Sequence, residues 1–97
     1  MCKFSKLFNK IKKRPGMYFP NDLLIEATNY IAGMDSMQDK PLREEFRQWM
    51  LKYKLKENHS VYWPQLVTLY MQEEGIKESD HVVEFLNLFA DFLDQRK

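Results

Sequence analysis

The sequence predicts an all-α fold, a compact single domain of about five helices over residues 1–97, with the C-terminal helix at its centre. Three observations carry this reading. Apolar residues recur every three or four positions through almost the whole chain, the spacing of one face of an α-helix. The three glycines, Gly16, Gly33 and Gly75, are never neighbours, so the tight turns that join β-hairpins have few places to form. Pro15-Gly16 and Gly75 fall where periodic segments stop. A short strand over residues 61–63 is the main competing local assignment.

In the first helix, Phe4, Leu7, Phe8 and Ile11 stand at i, i+3, i+4 and i+7. Pro15 and Gly16 end it, because proline cannot extend the backbone ladder and disfavours helix at the residue before it. Asn21 is the expected cap of a second helix, whose apolar stripe is Leu23, Ala27, Tyr30, Ile31 and Met34. Residues 35–40 are polar and read as a loop. Pro41 suits the first turn of a third helix, where its missing N–H costs nothing. That stripe is Leu42, Phe46, Trp49, Met50 and Tyr53.

Residues 54–60 read as a second loop. Ser60 and Pro64 bracket the start of a fourth helix with Trp63, Leu66, Val67, Tyr70 and Met71 on one side. Gly75 stops it in the left-handed position usual for a terminal glycine. Ser79 is the expected cap of the fifth helix. Its Val82, Val83, Phe85, Leu86, Leu88, Phe89, Phe92 and Leu93 cover a wide arc, the mark of a helix surrounded by others.

Composition bounds the function. With 44% hydrophobic and 30% charged residues the chain is too apolar for a disordered segment and ordinary for a globular one. It has no apolar run long enough for a membrane span and no hydrophobic signal segment behind its first lysines. One cysteine, Cys2, cannot build a disulfide framework or a multi-cysteine metal site. A cytoplasmic location is expected.

The formal net charge of +1 conceals a dipole. Residues 1–20 carry Lys3, Lys6, Lys10, Lys12, Lys13 and Arg14 and no acid. Residues 61–97 carry Glu73, Glu74, Glu78, Asp80, Glu84, Asp91 and Asp94 against Lys77, Arg96 and Lys97. Opposite ends of this kind can serve as solvated faces, as an acidic surface for a basic partner, or as a basic surface for nucleic acid.

Nothing in the sequence assembles catalytic chemistry. Cys2 lies near a fraying terminus, where no base can be held beside it. His59 falls in a polar loop, and His81 with Glu84 at i+3 supplies two metal ligands where zinc wants three or four. Glu44-Glu45 and Glu73-Glu74 are adjacent pairs that diverge by about 100° on a helix. No phosphate loop, dinucleotide fingerprint or hydrolase motif is present. The expectation is a protein that is not an enzyme, with no cofactor, metal or small-molecule substrate.

Binding remains. The basic first helix aligns Lys6, Lys10 and Lys13 and could contact phosphates, which makes a small nucleic-acid-associated or regulatory domain the alternative function. No recognition helix with base-reading side chains follows it. Tyr18, Phe19, Tyr62 and Trp63 stand at loops or helix starts, as buried staples or as exposed interface anchors. Glu73, Glu74, Glu78, Asp80 and Glu84 surround one helix–loop–helix turn, well placed to steer a basic partner.

The string Arg14-Pro15-Gly16-Met17-Tyr18 after an amphipathic helix resembles two families. The match to gyrase-type ATPase domains covers under ten residues and lacks that family's nucleotide motifs. The match to small helical bacterial immunity proteins, including those of contact-dependent growth inhibition and other polymorphic toxin systems, runs along the chain. It includes Phe46-x-x-Trp49 with Lys52-Tyr53, then Trp63 leading into Leu66-Val67, then the Phe- and Leu-rich segment 85–93. A Leu-Gly commonly follows that string in the family; here Phe19-Pro20 stands instead.

The resemblance implies an antitoxin that acts by binding a cognate toxin domain and blocking its active site. A basic nuclease is the toxin expected. The acidic turn over residues 73–84, with Tyr62 and Trp63, is the expected contact zone. Met17 and Tyr18 are expected to plug the core.

Overall fold

A computed structural model of the chain describes residues 3–55 and 61–96. Six α-helices occur among them: α1 (Lys3–Lys13), α2 (Pro15–Tyr18), α3 (Leu24–Ser36), α4 (Arg43–Tyr53), α5 (Trp63–Glu73) and α6 (His81–Gln95). A single 3₁₀ turn, Glu78–Asp80, leads into α6. No strand occurs among the described residues, and Trp63 opens α5 with Pro64 in its first turn. The all-α prediction holds, with one helix more than expected.

The extra helix is α2. Pro15 pushes Arg14 out of helical backbone (φ −139°, ψ 65°), which breaks α1 as expected. The proline then serves as the first residue of a new turn, where its fixed φ is already helical. The residue this turn delivers to the core is Phe19, 3% exposed. Met17 is 70% exposed and Tyr18 half-buried, so Met17 does not plug the core.

Several caps differ from expectation. α3 starts at Leu24, with Leu23 as its uncapped N-terminal neighbour, and Asn21 Nδ2 instead donates to Glu26 Oε2 at 3.1 Å. Pro41 lies just outside α4, which begins at Arg43. Ser79 sits inside the 3₁₀ turn and caps nothing by its side chain. Ser60 and His59 lie outside the described residues, as does Cys2.

Residues 35–40 are not simply a polar loop. Asp35 belongs to the last turn of α3 and is buried. Its Oδ1 accepts from the backbone N–H of Leu42 at 2.7 Å and from Gln38 Nε2 at 2.7 Å, and its Oδ2 accepts from the N–H of Arg43 at 3.1 Å. Two backbone donors at the start of α4 are thus satisfied by a carboxylate from the preceding helix.

Helix α6 is the centre, as its wide apolar arc predicts. Val82, Phe85, Leu86, Leu88, Phe89 and Phe92 are buried, while Val83 faces out. The helix packs on α1, α3 and α4. Phe89 is the hub, its ring lying 5.8 Å from Phe4, 5.4 Å from Phe8, 4.7 Å from Phe46 and 6.4 Å from Trp63. These pairs are tilted, with interplanar angles of 41–52°, and ring pairs at such distances add about 0.5–1.5 kcal/mol each beyond area burial. Rings from α1, α4, α5 and α6 therefore meet in one cluster.

Two polar ties clamp α4 to the end of α6. Trp49 Nε1 donates to Gln95 Oε1 at 2.8 Å, and Arg96 Nε donates to Glu45 Oε2 at 2.9 Å. Arg47 Nε donates to the Val61 carbonyl at 3.0 Å, tying the approach to α5 back to α4.

Candidate partner-binding surface

The turn between α5 and α6 is built by a complete left-handed helix ending. Gly75 takes φ +64°, where a side chain would be strained. Its N–H donates to the Gln72 carbonyl at 3.2 Å, and the N–H of Ile76 donates to the Met71 carbonyl at 3.0 Å. These two bonds reverse the chain and fold Ile76 back against the core. His81 Nε2 meets the Ile76 carbonyl at 2.9 Å. A carbonyl only accepts, so this nitrogen carries the proton. The backbone of the turn is thus pinned from both sides.

Four of the expected acids, Glu73, Glu74, Glu78 and Asp80, are exposed on this turn, and Glu84 is half-buried on the first turn of α6. Two of the five act together on one group. The Tyr70 phenol on α5 is pushed above its ordinary range, first by burial, then by the negative charges of Glu74, Glu84 and Asp91. The phenol thus reports a negative field gathered from two helices. Lys77 is the one Lys or Arg between residues 61 and 95.

Sequence reasoning missed Tyr70 and Asp91 as members of this face. The signal was present. Tyr70 and Glu74 are four apart on α5, and Glu84 and Asp91 seven apart on α6, so each pair shares a helix face.

The expected aromatic anchors fare differently. Trp63 is 2% exposed and packs at 5.4 Å on Phe46 and 5.9 Å on Phe85, so it is a core residue and cannot be a surface anchor. Tyr62 is 58% exposed. It stands before α5 while the acidic turn follows it, a separation of about 16 Å along the helix. The fold does not bring Tyr62 to the acids.

In place of those anchors the fold supplies a groove of about 650 Å³ beside the turn. Leu23 and Ile25, at the start of α3, form one side, and Met71, Ile76 and His81 lie opposite. Ile25 is 66% exposed and Leu23 46%, although Leu23 belongs to the stripe expected in the core. Asp22, at φ 54°, and Glu78 stand at the rim. An apolar floor with acidic edges suits an apolar side chain flanked by Lys or Arg.

Among the described residues no three His, Cys, Asp or Glu side chains are grouped so that they could hold a metal ion. None of the described helices is long and apolar enough to cross a membrane. Comparison of the chain with protein-family models, with curated proteins and with solved structures finds no match in any of the three.

Proposed function

We propose that this protein is an immunity-type inhibitor, which acts in the cytoplasm by binding a cognate toxin domain and blocking its active site. The observation that supports the reading best is the exposed acidic turn of Glu73, Glu74, Glu78 and Asp80, with the charges of Glu74, Glu84 and Asp91 also acting on the Tyr70 phenol. A nuclease presents a basic cleft to its substrate, and a negative face is its electrostatic complement. The groove at Leu23 and Ile25 adds the apolar contact that gives such a complex a slow off-rate. The likeness of residues 14–18, and of the aromatic pattern after them, to immunity proteins points the same way.

The test is capture by the tagged chain from its source cells with high-salt washing, followed by expression of the captured protein's domains. The reading requires one stoichiometric partner that arrests growth alone and not when co-expressed with this chain. The triple variant Glu74→Lys, Glu84→Lys, Asp91→Lys is expected to lose protection and to slow association at least tenfold. A partner that is harmless when expressed alone overturns the reading. Equal capture by the triple variant moves the contact elsewhere.

A further inference from the structure

At the opposite end of the charge dipole, Lys10, Lys13 and Arg14 line a small open cavity of about 230 Å³ at the junction of α1 and α2, together with Met17 and Tyr18. We propose that this cavity is a binding site for a small oligophosphate anion, held by the three cations.

The charges there are uncompensated. The chain has no acid before Asp22. Among the described residues none of the three cations has an ion-pair partner. Basic residues in a last helical turn do offset the negative end of the helix dipole, which accounts for part of their presence. That end carries only about half a charge, against three whole ones. The remainder is a concentrated positive potential over one cavity.

Local structure explains the convergence. Lys10 and Lys13 are three apart and lie on one side of α1. Pro15 forces Arg14 out of the helix, and its N–H is shared between the Lys10 and Ile11 carbonyls at 3.3 and 3.2 Å. The break brings Arg14 to the cavity that Lys10 and Lys13 also line. A guanidinium fork beside two point charges matches a phosphate group, which offers several oxygens and more than one negative charge. Met17 and the half-buried Tyr18 complete the lining between the three exposed cations.

Lys6 continues the line of Lys10 and Lys13 along α1 but does not line the cavity. Lys12, two residues from Lys10, stands about 200° around the helix and faces away. A nucleic-acid strand would engage Lys6 and Lys12 as well, whereas the cavity gathers three cations alone.

The experiment is an amide-resolved NMR titration of the protein with inorganic tripolyphosphate, at ionic strength held constant with chloride. Parallel titrations use a polyglutamate peptide and a short single-stranded oligodeoxynucleotide. The expected result is saturable shifts confined to residues 10–19, weakening as salt rises. Lys13→Glu and Arg14→Glu should each reduce affinity tenfold or more, with Lys52→Glu without effect and the remaining amide spectrum unchanged. Non-saturable shifts overturn the proposal, as does indifference to both variants. Polyglutamate binding as tightly as tripolyphosphate also overturns it. So does tighter oligonucleotide binding with shifts extending over Lys6 and Lys12, which would make the helix a nucleic-acid track.

Discussion

The carboxylate of Asp35 caps a helix it does not belong to: its Oδ1 accepts the backbone N–H of Leu42 at 2.7 Å, seven residues on. With Arg43 and Gln38 also donating, one buried side chain organises the whole α3–α4 connection. Asp35→Ala leaves buried donors without an acceptor and is expected to cost about 2–3 kcal/mol, combining a lost cap with desolvated N–H groups. For a domain of this size that lowers Tm by roughly 10 °C or more. Asp35→Asn keeps one acceptor oxygen and should fall between. Thermal unfolding followed by circular dichroism measures both.

The same substitution should have opposite signs at two glycines. Around Gly75 there is open space for a methyl group, but its φ of +64° strains any L side chain whatever the room. Gly75→Ala should therefore destabilise by about 1–2 kcal/mol. Gly33 lies inside α3 with no atom within 4 Å of where a Cβ would stand. Gly33→Ala should instead stabilise by about 0.5–1 kcal/mol. Urea unfolding midpoints at constant slope decide both.

Removing acids around Tyr70 should be visible at its phenol. Glu74→Gln, Glu84→Gln and Asp91→Asn should each lower its titration point, while the larger effect of burial persists. Because the phenol titrates higher when folded, its contribution to stability is fully present below the ordinary value of 10.0 and is lost as pH rises through the folded value. Carbon-detected NMR of labelled tyrosine separates Tyr70 from the other four.

Glu45 works with the reverse sign. The hydrogen bond from Arg96 holds its carboxyl below the ordinary 4.5, with burial opposing and the Arg96 charge adding. Its contribution is present above that ordinary value and is lost as pH falls through the folded one. Arg96→Gln should raise the Glu45 titration point in a carboxyl NMR titration. The effect on overall stability should be small, since both side chains are largely in water.

Much of the fold was legible because helical periodicity is a local signal. The stripes Phe4, Phe8, Ile11 and Phe46, Trp49, Met50 are buried as read, and the end at Gly75 is where a positive φ demands glycine. The caps were less legible. Asn21 and Ser79 have the chemistry of caps, but a cap depends on where the chain arrives in space, and Asp35 arrives instead at α4. The contact surface divides in the same way. Acids at 73, 74, 78 and 80 are exposed because a polar turn goes to the surface, whereas exposure of an aromatic depends on what packs over it.

Residue type and spacing along single segments were enough for the all-helical class, the central place of the last helix, the opposed charges of the two ends and the position of the acidic turn. Packing between segments settled the rest. It buried Trp63, left Leu23 and Ile25 lining an open groove, set Asp91 with Glu74 and Glu84 at Tyr70, and gave Lys10, Lys13 and Arg14 one cavity. The first three bring together segments far apart in sequence, and the fourth lies across the helix break at Pro15; the ring cluster around Phe89, which joins α1, α4, α5 and α6, is what buries Trp63.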